Sequence, residues 1–360
     1  MTDSEAYVAF NLAENVGFAK VEALAASAGS VAAAWERFPA KVARDGGEVD
    51  WRREFALAAR FGVTLITPAD PDYPPQLKSV TGRPLALYVK GDVKALSKPA
   101  IAMVGTRRAT PHGRSMANRL AHDLAQAGWA VISGLALGID AESHRGALDA
   151  GGVTVGVLGS GLDRFYPEEN RALARDMVEK GGAVVSEFPF GRPPDKETFP
   201  IRNHVVAALA RGVLAVEAPL KSGTLITTSI AADLGRTVMA VPGRPDDRMS
   251  AGCLSLVREG AVLVRNVDDI LEEMAELLPK VARHPSPDTA RDPESPTYSA
   301  EEALVMLNLD ENGVTIDELA RLTGLSAEKV NSLAIMLRIK GFVRFLPGNR
   351  ISPLTTGRKL

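Results

Sequence analysis

Short apolar, β-rich runs alternate with longer helical stretches between residues 63 and 264. We predict strands at 63–67, 85–90, 100–104, 129–132, 153–158, 182–186, 212–217, 237–241 and 261–264. This alternation indicates parallel βα units rather than a sandwich or a barrel of hairpins. Several runs are apolar throughout, as expected of strands covered by helices on both faces. The sequence therefore predicts an α/β fold with a doubly wound sheet, and ligands bind such a sheet outside the carboxyl ends of its strands.

The sequence of 360 residues contains two candidate domain boundaries. The clearer one is 279–297, where five prolines and many polar residues interrupt an aliphatic chain, and it predicts a flexible linker. The softer one lies near 45–50, after an Ala-rich helical start. We expect an N-terminal helical domain at 1–48, a sheet domain at 49–278, the linker at 279–297 and a further domain at 298–360.

The segment after the linker has the pattern of a winged helix-turn-helix. Three helices, with a glycine-containing turn before the third, precede two β-runs around Pro347–Asn349. Such a module either reads the major groove of DNA or docks a partner. Residues 298–360 hold eight Lys or Arg against seven acids, and the presumed recognition helix, 326–340, offers few side chains for base edges. We favour docking.

Composition limits the possible functions. Forty-two Lys and Arg against 44 Asp and Glu give a net charge of −2, so a nucleic-acid site must be a local patch. The single cysteine, Cys253, excludes a disulfide framework and any multi-cysteine metal site. The N-terminus carries acids where a secretory signal would carry lysines, and no run is long enough to span a membrane. We expect a cytoplasmic protein with no membrane contact.

Four glycine-bearing loops each follow a predicted strand, at 104–113, 133–140, 158–167 and 222–228. The first, with Gly105, Thr106 and the charges of Arg107 and Arg108, has the composition of a phosphate cradle. The second, with Ser133, Gly134 and Leu135, and the fourth, with Ser222, Gly223 and Thr224, each open a predicted helix. One such loop is often only a tight corner, whereas four indicate a binding edge. No P-loop is present, and no GxGxxG follows the first clear strand.

Aromatic side chains cluster between 165 and 199. They are Phe165, Tyr166, Phe188, Phe190 and Phe199. Rings beside cations and backbone donors hold single-stranded nucleic acid by stacking, although we expect three of the five to be core residues. The segment 196–203 adds Lys196, Arg202 and Asn203 around Phe199, and its charges alone could be ordinary solvated ones.

Enzyme chemistry has little support in the sequence. Asp140 and His144 share a helix face at i and i+4 and could hold a metal or share a proton, but we prefer a structural hydrogen bond at the helix start. No HExxH or GxSxG occurs, and Cys253 has no adjacent base. We expect no catalytic residue, no metal and no cofactor.

The glycine loops and the segment around Phe199 resemble those of the DprA/Smf family of DNA-processing proteins. The resemblance is carried by VGTRRAT, SGLALGIDAESHRGAL, VLGSGLDRFYP, SEFPFG, FPIRN, VEAPLKSGTLITT and VPG, from about 100 to 265. It implies an extended Rossmann-like domain that binds single-stranded DNA, a small sterile-alpha-motif-like N-terminal domain and a C-terminal winged helix. It further implies a homodimer that protects incoming DNA and loads the RecA recombinase in natural transformation.

The resemblance also suggests roles for single residues. Arg107 matches the arginine of the family's phosphate motif, Lys196 a DNA-binding lysine and Arg202 the first arginine of FP-x-R-N-R. His204 replaces the second arginine, which either lowers the charge of the pocket or alters packing. We expect phosphates on the N–H groups of 105–107 and 133–135, and bases on one or two of Phe188, Phe190 and Phe199. The sequence assigns no residues to the dimer or RecA surfaces.

Two rival functions remain open at this point. Related glycine-loop Rossmann proteins cleave nucleoside monophosphates, but residues 225–228 lack the glutamate that such enzymes carry after the Gly-Thr pair. A transcription factor that senses a nucleotide and binds an operator is the second rival. The near-neutral charge of residues 298–360 argues against it.

Overall fold

The computed structural model describes residues 1–39, 43, 46–277, 300–310, 313–339, 342–346 and 350–353. The chain divides into two compact units, Met1–Lys280 and Val281–Leu360. The predicted linker at 279–297 lies outside the described residues. The boundary expected near residue 48 falls inside the first unit and stays a prediction.

Nine strands of the first unit form one sheet. They are β1 Thr64–Ile66, β2 Leu87–Gly91, β3 Ala100–Gly105, β4 Ala130–Ser133, β5 Thr154–Val157, β6 Ala183–Ser186, β7 Gly212–Glu217, β8 Thr237–Ala240 and β9 Val262–Leu263. Their order in the sheet is β1-β2-β6-β5-β4-β3-β7-β8-β9. Each strand begins and ends within two residues of its predicted bounds, because an apolar run flanked by polar residues and glycine is a strong strand signal.

Twelve helices accompany this sheet among the described residues. They are α1 Asp3–Leu12, α2 Phe18–Ala28, α3 Val31–Arg37, α4 Trp51–Phe61, α5 Pro75–Lys78, α6 Pro111–Gln126, α7 Ile139–Asp149, α8 Arg171–Glu179, α9 Thr198–Leu209, α10 Gly223–Asp233, α11 Ala251–Arg258 and α12 Val267–Leu277. In the described part of the chain, none of the helices combines the length and the apolar character that crossing a bilayer requires.

Successive residues of β3 point to opposite faces of the sheet, and both faces are covered. Ala102 and Val104 share a buried cluster with residues 205–210 of α9 and its end. Ile101 and Met103 share another cluster with α6, which contributes Leu120 and three further residues. This two-sided burial is the reason that the strand sequences are apolar throughout.

The strands β6, β5, β4, β3, β7, β8 and β9 pair in parallel, as predicted. The first two strands differ from the prediction, because β2 pairs antiparallel with β6 and β1 pairs antiparallel with β2. A parallel connection needs a long crossover, usually a full helix. The segment between β1 and β2 carries only the four-residue α5, so these strands extend the sheet as an antiparallel edge.

The N-terminal helices pack around a small core of their own. Phe10 meets Trp35 edge-on, with ring centroids 5.0 Å apart, and the same cluster includes Leu85 from the sheet domain. On another face of α1, Val8 packs with Ala58 and other buried residues beside β2. The helices therefore lie against the sheet through apolar contacts.

The order of the strands places a crevice between β3 and β7. From β3 the chain moves outward through β4, β5 and β6, and then returns to β7 and moves outward on the other side. The loops that follow β3 and β7 therefore diverge. A doubly wound sheet opens its binding crevice at such a reversal, outside the carboxyl ends of the strands.

The second unit has the winged-helix order that the sequence predicts. Its elements are α13 Ala300–Leu307, β10 Val314–Thr315, α14 Ile316–Thr323, α15 Ala327–Ile339, β11 Val343–Leu346 and β12 Arg350–Pro353. Gly324, with φ 71°, ends α14 in the left-handed region. The short strand β10 was not predicted and pairs with β12. The predicted turn at Pro347–Asn349 lies outside the described residues.

Candidate functional site

Loops that follow β3, β4 and β7 meet the first half of α9 around a cavity of about 480 Å³. The cavity lies at the crevice where the strand order reverses. Eleven of the thirteen residues predicted to contact DNA line it, namely Gly105, Thr106, Arg107, Gly134, Lys196, Phe199, Arg202, Asn203, Ser222, Gly223 and Thr224. Most residues that the sequence proposed as DNA contacts therefore lie around one cavity, although several of them are buried or bonded within the protein.

Ser133 and Leu135 are the two predicted residues that do not line the cavity. Both are fully buried. The Ser133 hydroxyl donates to the Met103 carbonyl at 2.6 Å, and the Leu135 side chain packs in a cluster with Leu158 and Met177. These two residues hold the second loop in place and do not face a ligand.

Backbone N–H groups expected to bind phosphate are already used within the protein. The Thr106 N–H donates to the Glu217 carbonyl at 2.8 Å. The N–H groups of Gly134 and Ala136 donate to the Asp140 carboxylate at 3.1 and 3.3 Å. The prediction that Thr106 and Gly134 offer N–H groups to DNA is therefore wrong, because an N–H group that already donates to an acceptor within the protein is not available to a phosphate.

Arg202 lines the cavity but is almost completely buried. Only 5% of its surface is exposed, and its guanidinium donates to the carbonyls of Gly134 and Val157. Burial lowers the pKa of Arg202 to about 10 against the opposing effect of Asp140, so the charge remains at neutral pH. These bonds give Arg202 a structural role, because its side chain holds two loops together, and its predicted contact with a phosphate stays a prediction.

Asp140 is the acid that faces Arg202 from the start of α7. Burial raises the pKa of its carboxyl, and the charge of Arg202 acts in the opposite direction. The sequence paired Asp140 with His144, but His144 instead contacts the Thr154 hydroxyl at 2.7 Å. Both side chains therefore make structural hydrogen bonds, as the preferred interpretation expected: Asp140 to the loop before α7 and His144 to Thr154. Among the described residues, no group of three or more His, Cys, Asp or Glu side chains could hold a metal ion.

Phe199 carries the aromatic surface of the cavity. One edge of its ring lies against Gly159, where an added Cβ would come within 3.0 Å. The guanidinium carbons of Arg107 and Arg202 lie 5.0 and 5.8 Å from the ring centroid. The ring is thus held by contacts on its own protein while it borders the open cavity, as a stacking platform requires.

The cavity is strongly cationic in a chain with a net charge of −2. Its lining contains one acid, Asp140, and five cations, Arg107, Arg108, Lys196, Arg202 and Lys221. Four of these cations are exposed, all except Arg202. In the part of the chain that the structure describes, these four make no ion pair. The positive patch that the composition required is therefore present and lacks counter-charges from the described protein.

The fourth glycine loop brings the start of α10 to the cavity. The Ser222 hydroxyl accepts from the Thr224 N–H at 3.0 Å and caps the helix. Gly223, the first residue of α10, is exposed and borders the cavity. The positive end of the helix dipole therefore adds to the charge of the neighbouring lysine.

Phe188 and Phe190 do not belong to this site. Phe188 is 3% exposed, and Phe190 packs against Tyr88 and Phe61 with ring centroids 5.4 and 5.3 Å away. Both line a different cavity, beside the N-terminal helices. Their predicted stacking on bases therefore has no support from their position.

His204 does not line the cavity either. Its Nε2–H donates to the Thr81 carbonyl at 3.1 Å, and burial lowers the pKa of the ring. Of the two interpretations for the missing family arginine, the geometry favours altered packing over a change of charge in the pocket.

Lys221 and Tyr166 were missed by the sequence interpretation, and Arg108 was expected to supply charge to the first glycine loop but not to contact DNA. Arg108 and Lys221 flank predicted contacts in the glycine loops, and their adjacency was an available signal. Tyr166 lies in an adjoining small cavity, 6.3 Å from Phe199 between ring centroids. It was noted only as one of five clustered aromatics, because proximity in sequence does not tell which ring reaches the site.

Comparisons with known proteins agree with this architecture. The family model of DNA recombination-mediator protein A matches residues 64–275, and the model of the DprA winged helix domain matches residues 286–349. Protein Smf of Escherichia coli (strain K12) is 36% identical over 294 residues, which cover 79% of this chain and 76% of that protein. DNA processing protein DprA of Bacillus subtilis (strain 168) is 40% identical over 225 residues, covering 62% and 75%.

Two solved structures are similar to this one. The X-ray structure of DprA from Streptococcus pneumoniae aligns with a TM-score of 0.62 at 32% identity, covering 76% of this chain and 98% of that one. DprA from Helicobacter pylori, described for its unique single-stranded DNA binding mode, aligns with a TM-score of 0.53 at 29% identity, covering 59% and 96%.

Proposed function

The chain belongs to the DprA/Smf family of DNA-processing proteins, and from this membership we propose that it binds single-stranded DNA in the cavity around Arg107 and Phe199. The observation that carries the proposal is the set of four exposed, unpaired cations around one aromatic ring, within the described residues of a chain that is otherwise slightly acidic. Phosphates supply the missing negative charges, and unpaired bases supply partners for the ring.

We assign the role of each residue at the cavity from the exposure of its side chain. Arg107, Lys196 and Lys221 neutralise phosphates because they are exposed and lack partners among the described residues. Phe199 stacks on a base. Arg202 and Asp140 position the loop at 134–140, since both are buried and bonded to backbone groups. The backbone N–H group that we expect to bind a phosphate is that of Gly223, which is exposed at the start of α10.

Single strands fit this site better than duplex. A base can stack on Phe199 only if it has left its own stack, and the ring borders a cavity rather than projecting from the surface. In a duplex, the bases are paired inside and present only their edges to the grooves.

The test is fluorescence anisotropy with labelled oligo-dT and a matching duplex. We expect the single strand to bind at least about tenfold more tightly, since stacking contributes only there. Lys196→Ala should weaken binding, whereas Lys180→Ala, which removes an exposed lysine outside the cavity, should not. Equal binding of both forms of DNA, or a preference for duplex, would contradict the proposal.

We extend the proposal to recombination. The protein would act in the cytoplasm as a homodimer, protect incoming single strands in natural transformation and load RecA onto them, without catalysis or a cofactor. The family description as a recombination mediator supports this extension. On single strands already covered by a single-stranded DNA-binding protein, we expect this chain to shorten the lag before RecA hydrolyses ATP. Light scattering after size-exclusion chromatography should give the mass of a dimer. An unchanged lag would count against the loading role.

The enzyme alternative has no observation in its favour. The acid in the cavity lining, Asp140, is buried and accepts from two loop N–H groups, so it is not poised as a general base. Incubation with nucleoside monophosphates should therefore release no free base.

A further inference from the structure

Two apolar side chains are exposed next to the DNA cavity and have no part in the function proposed so far. Tyr166 is 48% exposed and Leu137 is 39% exposed. Both border the small cavity that also touches Arg107, Phe199 and Arg202. We call Leu137 and Tyr166 the outer shelf. Together with Arg107 and Phe199, these side chains surround the small cavity with rings and positive charge, the combination that holds a single strand by stacking and phosphate contact.

The outer shelf is tied to the same loops as the main cavity. The Asn170 side-chain amide donates to the carbonyls of Leu135 and Ala136 at 2.8 and 3.1 Å. Asn170 is itself 1% exposed. This buried link joins the segment that follows Tyr166 to the loop that carries Leu137, so both side chains of the shelf are presented by one fixed surface.

The two rings at this surface do not form a slot for a base. The centroids of Tyr166 and Phe199 lie 6.3 Å apart, with the ring planes inclined by 47°. Such a separation is typical of two aromatic rings in direct contact and leaves no room for a third ring between them. Each ring can therefore receive a base only on its outer face.

Arg107 lies over the Phe199 ring and lines the small cavity together with Tyr166. Its guanidinium carbon is 5.0 Å from the Phe199 centroid, and it lines the main cavity as well as the small one. A phosphate held by Arg107 would consequently have one nucleoside on the side of the cavity and another on the side of the outer shelf.

We propose that Tyr166 is a second base-stacking residue, which receives an unpaired nucleobase adjacent to the one on Phe199, with Leu137 as the apolar border of this second position. This inference rests on the proposed binding of single-stranded DNA. The contact is to the π-face of a base and is therefore independent of base identity.

The test separates bases from phosphates. Binding is measured for oligo-dT and for a strand of equal length in which every nucleotide is abasic, so that both ligands carry the same backbone charge. The ratio of the two affinities reports base contacts alone. We expect Tyr166→Ala to lower this ratio about tenfold, with the loss on the oligo-dT side, and Tyr166→Phe to preserve it.

Phe38→Ala is the matched control, because Phe38 is 42% exposed and lies outside both cavities. If Tyr166→Ala keeps the wild-type ratio while Arg107→Ala loses binding, the second stacking position is wrong and the proposed function stands. If the wild-type protein binds neither strand, the proposed function itself fails.

Discussion

Arg107 and Arg202 both lie beside the Phe199 ring, but their surroundings differ completely. Arg107 is exposed and unpaired among the described residues, whereas Arg202 is buried and donates to two carbonyls. In Arg202, Nε and one terminal nitrogen already donate within the protein, so a phosphate could use those N–H groups only by displacing these bonds. At the scale of single residues, we therefore assign binding to Arg107 and positioning to Arg202.

Arg202→Met tests this assignment. The substitution keeps much of the apolar volume but removes the donors to the buried carbonyls of Gly134 and Val157, and each buried acceptor left without its donor costs about 1–3 kcal/mol. We expect a clear fall in the thermal unfolding temperature. Arg107→Met should leave that temperature unchanged. An Arg202→Met protein of normal stability that binds DNA poorly would instead identify Arg202 as a direct phosphate contact.

His144 predicts a pH dependence of stability. Burial lowers its pKa to about 3 in the folded protein, while the unfolded chain keeps the ordinary value of 6.5. Between these values the unfolded state binds the extra proton, so stability is complete above pH 6.5 and falls as the pH is lowered toward 3. At pH 5 the loss amounts to about 2 kcal/mol.

The measurement is urea unfolding at pH 7 and pH 5 for wild type and His144→Gln. The substitution removes the titrating ring, so the variant should lose less stability than wild type over this interval. The same pH dependence in both proteins would show that other groups cause it.

The sequence identified Lys196 and Phe199 correctly as neighbours of the cavity, because their spacing around the start of a helix restricts where they can lie. It proposed Phe188 and Phe190 as stacking residues and left out Tyr166, whereas the structure places Tyr166 beside the site and the other two rings away from it. All three follow strand ends, and the side of the chain on which each ring lies depends on contacts with distant residues, such as Phe61 and Tyr88 for Phe190.

At the scale of elements, strands were predictable and loop hydrogen bonds were not. An apolar run reveals a buried strand by itself. The loss of N–H groups from the binding edge arises instead from contacts between distant parts of the chain. The Thr106 N–H donates to the carbonyl of Glu217, the last residue of β7, and the Ile139 N–H donates to the Thr106 carbonyl at 3.2 Å. Such contacts depend on how closely the loops approach, which no local pattern contains.

Gly138 is the residue that permits this approach. Its φ is 81°, and an added Cβ would collide with the backbone carbonyl of Thr106. Gly151 has a similar φ of 70° but open space around the missing side chain. We expect Gly151→Ala to cost about 1–2 kcal/mol for its left-handed backbone. Gly138→Ala should cost about 1–3 kcal/mol more, because the loops must separate.

Denaturant unfolding and oligo-dT binding of the two variants check this prediction. Gly138→Ala should lose both stability and DNA affinity, and Gly151→Ala should lose only some stability. Equal effects on both properties would mean that the contact between the loops does not shape the site.

At the scale of the whole molecule, positive charge is concentrated in one cavity and is not in excess over the chain. The chain carries a net charge of −2, yet the cavity collects five cations and one acid. The winged-helix unit has no such excess, since residues 298–360 contain eight basic and seven acidic residues. We therefore expect the electrostatic attraction for DNA to come from the first unit.

Truncation tests this division. A chain that ends at residue 278 retains the sheet, the cavity and all five of its cations. We expect it to bind oligo-dT within about threefold of the full chain, since the nearly neutral unit contributes little to phosphate binding. A loss of a hundredfold would place a major DNA contact in the winged helix.

The central claim is that exposed cations around Phe199 hold the phosphates of a single strand. Its most direct test is a salt titration of oligo-dT anisotropy for wild type, Arg107→Ala and Arg175→Ala, the last removing an exposed arginine outside the cavity. Arg107→Ala should weaken binding and reduce the slope of log affinity against log salt by about 0.7, the value for one phosphate contact, while Arg175→Ala matches wild type. An Arg107→Ala protein with wild-type affinity and slope would contradict the account.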